Sequence, residues 1–432
     1  MKDDFDRCLF SKSITRKVSI TMYFGKIWRF AGGLENSGRQ RILSTLLILL
    51  ANLSQLPADE FLLAQATGNR KQETASKTAG PAGYFPPPES KGGWRSLLPE
   101  NGPPGTKQKQ TIRERCGMDW DALRGVWDFT RQAGGNSGLL VIRYGYVVGE
   151  WYRGCDRSTS WNLYSSSKSY TSTAYGILLG DAKAGRLPED RQLDLETKVF
   201  TKELLPEAMP LSDPRKAGIT LRHLLTMRAG FAEKSPPATA PLEWAFGKTA
   251  GSPMARLVVE PGSKFLYSNG GAAHLVVLFH RLAGRDLFPF LKQRVFDPIG
   301  IQTVRWETIG GKGHLGPYST GYSGLITTPR EHARFCYLAL HRGNWSGYQL
   351  VPREYFDFAW QGTSTDPQYG AMWWIDRLPN LVAWTRGARK NNGYVVPDHD
   401  LIFVRVGDAT AEHFPPDFEQ KLAEKVIATI VK

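Results

Sequence analysis

Strand-forming sequence occurs at two places far apart in this chain, and that separation limits the folds open to it. GLLVIRYGYVVGEWY, residues 138–152, is two β-rich runs broken at Gly145. Such runs then stop until YGAMWWID, LVAWTRGA, NNGYVVP and DLIFVRVGD, which fill most of residues 369–408. Short β-branched and aromatic runs between turn formers read as strands, the first two as a hairpin. An isolated hairpin is marginal in water, so the early pair has to find the late strands. Between them, at about residues 187–318, ITLRHLLTMRAGF, AAHLVVLFHRLAG and LFPFLKQRVF repeat apolar residues at helical spacing. DWDALRGVWDFTRQA before the hairpin and FEQKLAEKVIATIVK after the last strand read as amphipathic helices. The expectation is an α+β fold: one antiparallel sheet formed from both ends of the chain and flanked by helices, with a mostly helical insertion at about 187–318.

Residues 116–432 would form this domain, and the sequence ahead of it has another character. Residues 67–115 are rich in Gly, Pro, Lys and Ser, with YFPPPESKGGW and ENGPPG as the least helical stretches, and read as an arm or linker. The aromatics Tyr84, Phe85 and Trp94 give part of it a means of lying against the body. Residues 1–66 read as a leader. Arg39 and Arg41 precede the apolar run ILSTLLILLANL, residues 42–53, and Ala64-Gln65-Ala66 offers a small-x-small cleavage site. The run is well short of the ~20 residues that cross a bilayer, so it predicts a signal peptide rather than a stable membrane span. Export to the periplasm or the outside follows, with Met22 as an alternative start.

Composition removes other classes. With 41% hydrophobic and 22% charged residues among 432, the chain is neither a membrane bundle nor a disordered scaffold. The net charge of +14 is diffuse, without a run of five basic residues or a zinc-knuckle spacing, so no nucleic-acid partner is predicted. Beyond the leader stand Cys116, Cys155 and Cys336, which allow at most one bridge and no disulfide framework. The eight histidines are scattered, with no HExxH and no Cys/His cluster, so no metal is predicted. Trp373 and Trp374 read either as core residues, the stronger expectation, or as lining of a cleft.

The chemistry is concentrated in LYSSSKSY, residues 163–170. At a helix start Ser165 and Lys168 share one face, close enough for the amine to reach the hydroxyl. An alcohol is a poor nucleophile at neutral pH and needs an adjacent base; a lysine serves only where its surroundings push its pKa down. The first turn of a helix also offers unpaired N–H groups and the positive end of the dipole to a developing negative charge. This is the only SxxK in the chain, and Tyr267-Ser268-Asn269, in PGSKFLYSNGGAAHL, is the only YxN. Either motif alone also reads as a capped helix or a turn.

Together and in that order, they make the sequence resemble the serine β-lactamase and penicillin-binding-protein-like hydrolases. Within them it is most similar to the branch of class C β-lactamases, D-Ala-D-Ala carboxypeptidases, esterases and 6-aminohexanoate-dimer hydrolases. The resemblance runs from about Trp120 onward and includes ITLRHLLTMRAGF, FDPIGI, GYSGLITTPREHARF and WTRGARKNNGYVVPDHDLIFVRVG. It implies that Ser165 attacks a carbonyl, Lys168 takes its proton and Tyr267 relays protons. Asn269 would hydrogen-bond a substrate amide or orient Lys168, and the N–H of Ser165 would be half of an oxyanion hole. The family's third motif is Lys or His, any residue, then Gly, and here the chain departs from it. Aligning on YVVP and DLIFVRVG puts Thr385-Arg386-Gly387 there, with the backbone of Ala388 closing the oxyanion hole. Arg386 or Arg389 is then the candidate for the missing cation. Arg386, Gly387 and Ala388 join Asn269 as expected substrate-binding residues. His314-Leu315-Gly316 and His341-Arg342-Gly343 fit the letters but stand out of family order.

The resulting expectation is an exported serine hydrolase, an esterase or amidase. It would cleave a small-molecule or peptide-like substrate through an acyl-enzyme at Ser165, without metal or organic cofactor. A weakly catalytic sensor or binding module is one alternative, and a β-lactamase or D-Ala-D-Ala carboxypeptidase another. The altered third motif weighs against the latter, since it bears on recognition of a substrate carboxylate. The sequence sets neither the substrate nor the oligomeric state.

Overall fold

The hairpin turns where the sequence breaks. Tyr144 and Gly145 have φ of 51° and 73°, the two left-handed residues that a tight type I′ connection requires. They join β1 (Ser137–Arg143) to β2 (Tyr146–Arg153). The remaining strands that matter here are β3 (Trp161–Asn162), β4 (Val304–Trp306), β5 (Leu325–Thr327), β6 (Trp374–Arg377), β7 (Leu381–Thr385), β8 (Asn392–Val396) and β9 (Leu401–Gly407). β6-β7-β8-β9-β1-β2 is one antiparallel sheet, closed by the pairing of β1 with β9 from Ser137↔Gly407 to Arg143↔Leu401. The fold is therefore α+β, with a sheet built from both ends of the chain. These features belong to a computed structural model, which describes residues 83–310, 315–363, 366–377 and 380–431. The apolar run at 42–53, the cleavage site at 64–66 and His314 lie outside the described residues.

Six helices of ten or more residues occur among the described residues: α1 (Thr106–Cys116), α2 (Trp120–Arg131), α3 (Ser167–Lys183), α4 (Asn269–Ala283), α5 (Pro329–Leu340) and α6 (Phe418–Ala428). Strand side chains alternate between faces, so the sheet serves two cores. Leu139, Val141, Val382, Leu401 and Phe403 meet Ile112, Leu123, Val126 and Leu422 of α1, α2 and α6. Leu140, Ile142, Ala383, Ile402 and Val404 meet the layer of α3, α4 and α5. Each fully buried Val, Leu, Ile or Phe in these cores contributes roughly 1.5–3 kcal/mol.

Two features differ from the sequence reading. A small sheet, β3-β5-β4, takes one strand, β4, from the region expected to be helical and links it to the segment before Ser165. Strands of two or three residues are too short to show alternation, which is why the pattern hides them. The second difference is α1, which begins inside the presumed arm. Only Ile112 and Cys116 of its residues are buried, so its polar sequence shows little amphipathic period. Upstream, Arg95 and Leu97 pair with Val147 of β2, through Val147 N to Arg95 O at 2.9 Å and Leu97 N to Val147 O at 3.1 Å. That cover blunts an edge strand open to foreign pairing. Among the described residues no helix is long and apolar enough to cross a membrane, no group of His, Cys, Asp and Glu is placed to hold a metal, and Cys116, Cys155 and Cys336 are unpaired.

Candidate active site

The small sheet sets the turn from which α3 springs. Leu163 donates its N–H to Leu325 O at 2.8 Å, and Tyr164, at φ 48°, donates to the Asn162 side-chain oxygen at 2.8 Å. Tyr164–Ser166 forms one 3-10 turn that continues into α3. Ser165 is half-buried there, while the following serines are buried and bonded to backbone. Ser166 Oγ donates to Asn391 O at 2.7 Å, Ser167 Oγ to Tyr164 O at 2.6 Å, and Ser169 Oγ to Met372 O at 2.8 Å. The small hydroxyls let other chain segments close around the helix start.

Lys168 is 2% exposed, with Nζ 3.1 Å from Ser165 Oγ and 2.8 Å from the carbonyl oxygen of Tyr322. The Tyr267 ring centroid lies 4.9 Å from the same nitrogen. Burial lowers the Lys168 pKa from its ordinary value, and the Tyr267 phenol opposes that shift by favouring the charged amine. Tyr267 is held by aromatic contacts, with Trp374 at 5.8 Å and Tyr369 at 6.1 Å between centroids. Trp374 thus faces the tyrosine, while Trp373 is wholly buried.

Asn269 opens α4, one residue after the Ser268 cap. Its amide nitrogen donates to Ser235 Oγ at 2.7 Å, and its Oδ1 is buried without a partner among the described residues. The side chain is therefore engaged by the 235 loop, not by Lys168.

The third-motif segment follows β7. Thr385 Oγ1 accepts from Gly393 N at 2.8 Å and lies 3.2 Å from His332 Nε2, whose Nδ1 is 2.7 Å from Tyr170 Oη. His332 is fully buried, which pushes its pKa down to about 3 and leaves the ring neutral. Alternation turns Arg386 to the other face, where it pairs with Glu419 of α6 at 3.1 Å and stacks on Trp374 and Trp384. Arg386, expected to meet a substrate carboxylate, is thus engaged by Glu419 and the two indoles. Arg389 instead lies with its guanidinium carbon 5.8 Å from the Tyr164 ring centroid, next to Ser165, and is exposed.

Gly387 packs hard against the serine turn. A Cβ there would stand 2.2 Å from Leu163 O and 2.6 Å from Asn391 O, so only glycine fits. Its N–H goes to Asn392 Oδ1 at 2.9 Å and is therefore engaged within the turn. His341, in the other motif look-alike, sits at the end of α5 against Phe85 and Tyr337. Three contributors escaped the sequence reading. Tyr322 and Asn391 act through backbone carbonyls, which carry no side-chain signature, and Glu419 stands on a helix distant in sequence. GYSG around Tyr322 and KNNG around Asn391 both fall in stretches that carry the resemblance, the one signal that pointed to them.

A family model described as Beta-lactamase matches residues 130–424. No match is found among curated proteins. Among solved structures, a hydrolase with promiscuous acyltransferase activity, EstCE1, is 18% identical, with TM-score 0.55 over 73% of this chain and 99% of its own. An octameric penicillin-binding protein homologue from Pyrococcus abyssi is 17% identical, with TM-score 0.54 over 71% of this chain and 76% of its own. A penicillin-binding protein homologue from Caulobacter crescentus is 13% identical, with TM-score 0.53 over 72% and 97%. The chain belongs to the beta-lactamase family and has the fold of the serine β-lactamase and penicillin-binding-protein-like hydrolases.

Proposed function

We propose that the protein is an exported serine hydrolase cleaving an ester or amide through an acyl-enzyme on Ser165. The observation that carries this reading is the buried Lys168 amine, 3.1 Å from Ser165 Oγ and within reach of the Tyr267 phenol. As a neutral amine Lys168 has two N–H donors and one lone pair. Tyr322 O takes one hydrogen, the phenol oxygen the other, and the lone pair faces the Ser165 hydroxyl. Ser165 Oγ attacks the carbonyl carbon as its proton passes to Lys168. The resulting oxyanion is stabilised by the N–H groups of Ser165 and Ala388, each such donor being worth about 3 kcal/mol in other enzymes. Collapse expels the leaving group, which takes a proton through Tyr267; Lys168 hands its own on to Tyr267 and is neutral again. Water then attacks the acyl carbon, gives its proton to Lys168, and Ser165 leaves with that proton restored.

Asn269 Oδ1, a buried acceptor without a partner among the described residues, suits an N–H of the substrate and supports amides alongside esters. Arg389 replaces Arg386 as the candidate cation for an anionic substrate. A fluorophosphonate probe tests the reading: intact protein should be labelled at Ser165, and Ser165→Ala should not. Absence of labelling, or equal labelling of the variant, overturns it. Labelling without turnover of p-nitrophenyl esters, a chromogenic cephalosporin or D-Ala-terminated peptides would make the protein a binding module instead.

A further inference from the structure

The segment that carries Gly387 and Ala388 is bracketed by two cations, and one carboxylate on the far side of the sheet holds both. Glu419 Oε1 accepts from Arg386 Nε at 3.1 Å and from Lys390 Nζ at 2.7 Å. Arg386 stands immediately before Gly387 and Lys390 two residues after Ala388, so the two bonds fix both ends of the turn. Glu419 is 6% exposed, and it belongs to the first turn of α6, within the core that α6 shares with β7 and β8. The turn itself is not self-stabilising, because Arg389 and Lys390 have φ of 57° and 59°, a conformation that costs a non-glycine residue free energy and persists only where neighbours enforce it.

We infer that Glu419 is a positioning residue: by gripping Arg386 and Lys390 it holds the Ala388 N–H aimed at the oxyanion formed on Ser165. This rests on the catalytic reading above. Glu419 touches no reacting atom and acts through the turn. Burial acts to raise its pKa, but the hydrogen bond from Lys390 and the charge of Arg386 outweigh it and keep the carboxylate ionised. Other holds on the segment, Asn391 to Asn162 O at 2.9 Å and Gly407 N to Asn391 Oδ1 at 2.6 Å, lie beyond Lys390. Within Gly387–Lys390, Gly387 N is held by Asn392 Oδ1 and Ala388 O accepts from Asn391 N, while the side chains that grip the stretch from outside are Glu419 and Arg405, the latter through Arg389 O.

Two effects of removing the carboxylate compete. Without it the cations are less opposed, with Asp376 still facing Arg386, and raise the positive potential near the oxyanion, which would speed acylation. Loss of the grip lets the donor wander, and a shift of about 1 Å is enough to slow a reaction about a hundredfold. The inference is that the second effect wins.

The test is the kinetics of fluorophosphonate inactivation of the full chain, separating the maximal inactivation rate from the concentration giving half of it. Glu419→Gln and Glu419→Ala should lower the maximal rate about tenfold or more while the half-saturating concentration changes less than about twofold. Glu419→Asp should recover part of the loss. Adding Glu419→Ala to an Arg386→Ala, Lys390→Ala background should cost nothing further, since nothing is left to grip. Glu424→Gln, an exposed position on the same helix, is the control for α6 itself and should leave the rate unchanged. An unchanged or increased maximal rate in folded Glu419→Gln overturns the inference while Ser165 labelling stands. No labelling of intact protein overturns both.

Discussion

The amine of Lys168 and the carbonyl oxygen of Tyr322 are 2.8 Å apart in the interior, and this bond ties one N–H of the amine down. One hydrogen is committed to the carbonyl, and the Tyr267 phenol is close enough to take a second. Ser165 Oγ is the third neighbour, 3.1 Å away, and the proposed base must present its lone pair there, so acylation should follow the neutral fraction of Lys168. Burial lowers that lysine's pKa from 10.5, so the acylation rate should rise with pH through a value below 10.5 and then level off. The same group bears on stability. An unfolded lysine keeps its proton to about 10.4. Between the folded and unfolded values the unfolded chain therefore binds more protons, and stability from this site increases with pH across that window. Lys168→Met should remove the rising limb and slow acylation about 10²–10⁴-fold. Rates of fluorophosphonate labelling across pH 6 to 10 check this; an unaltered pH profile in the variant would show that the limb belongs to another group.

Gly387→Ala should damage both stability and acylation. The new methyl has Leu163 O and Asn391 O within 2.6 Å, both backbone atoms that cannot rotate away. Overpacking of this kind costs about 1–3 kcal/mol. Because Ser166 Oγ is bonded to Asn391 O, the displacement reaches the residue after the nucleophile. Chemical denaturation should show a lower midpoint with unchanged slope, and the labelling rate should fall in the protein that remains folded.

Arg389 and Arg386 should separate in substrate preference. Arg389 lies over Tyr164 beside the nucleophile, whereas Arg386 is tied to Glu419 on the opposite face. Arg389→Ala should raise KM for a p-nitrophenyl ester bearing a free carboxylate by about tenfold, the worth of one charge-assisted hydrogen bond, and leave a neutral ester of similar size unaffected. Arg386→Ala should instead act on kcat for both, through the turn. Equal effects of Arg389→Ala on both esters would remove it from substrate recognition.

What could be read in the sequence divides along physical lines. The strands of the large sheet announced themselves because β-branched and aromatic runs stand between turns that need special residues, Gly145 among them. Ser165 and Lys168 were legible because helical spacing alone brings them together. The rest of the site depends on contacts between residues distant in sequence. Nothing in TRGARK tells which arginine faces the nucleophile, since that follows from the strand's phase and from Glu419 on a helix that comes later. The role of Tyr322 is carried by a carbonyl that every residue possesses. α1 was missed for a different reason: a helix that buries two residues leaves little pattern to find.

The arm at residues 83–105 supplies one more expectation, because it brings a carboxylate to two buried cations. Glu89 pairs with Arg334 at 2.9 Å and with Arg330 at 3.0 Å, and Arg330 also meets Glu150 at 2.6 Å. Both arginines stand on α5, the helix that places His332 behind Thr385. Arg330 retains Glu150 if Glu89 is lost, but Arg334, with no exposed side-chain surface, keeps no carboxylate partner among the described residues. Breaking a buried pair by removing one partner costs about 3–5 kcal/mol; Glu89 is partly exposed, so about 2 kcal/mol is expected for Glu89→Ala. Backbone carbonyls of Pro86 and Ile299 continue to accept from Arg334, which limits the loss. Replacing Arg334 as well by Met should recover part of the stability, since the stranded charge is then gone. Denaturation of the single and double variants measures this directly. A Glu89→Ala protein as stable as the parent would mean that the arm lies on α5 without bracing it.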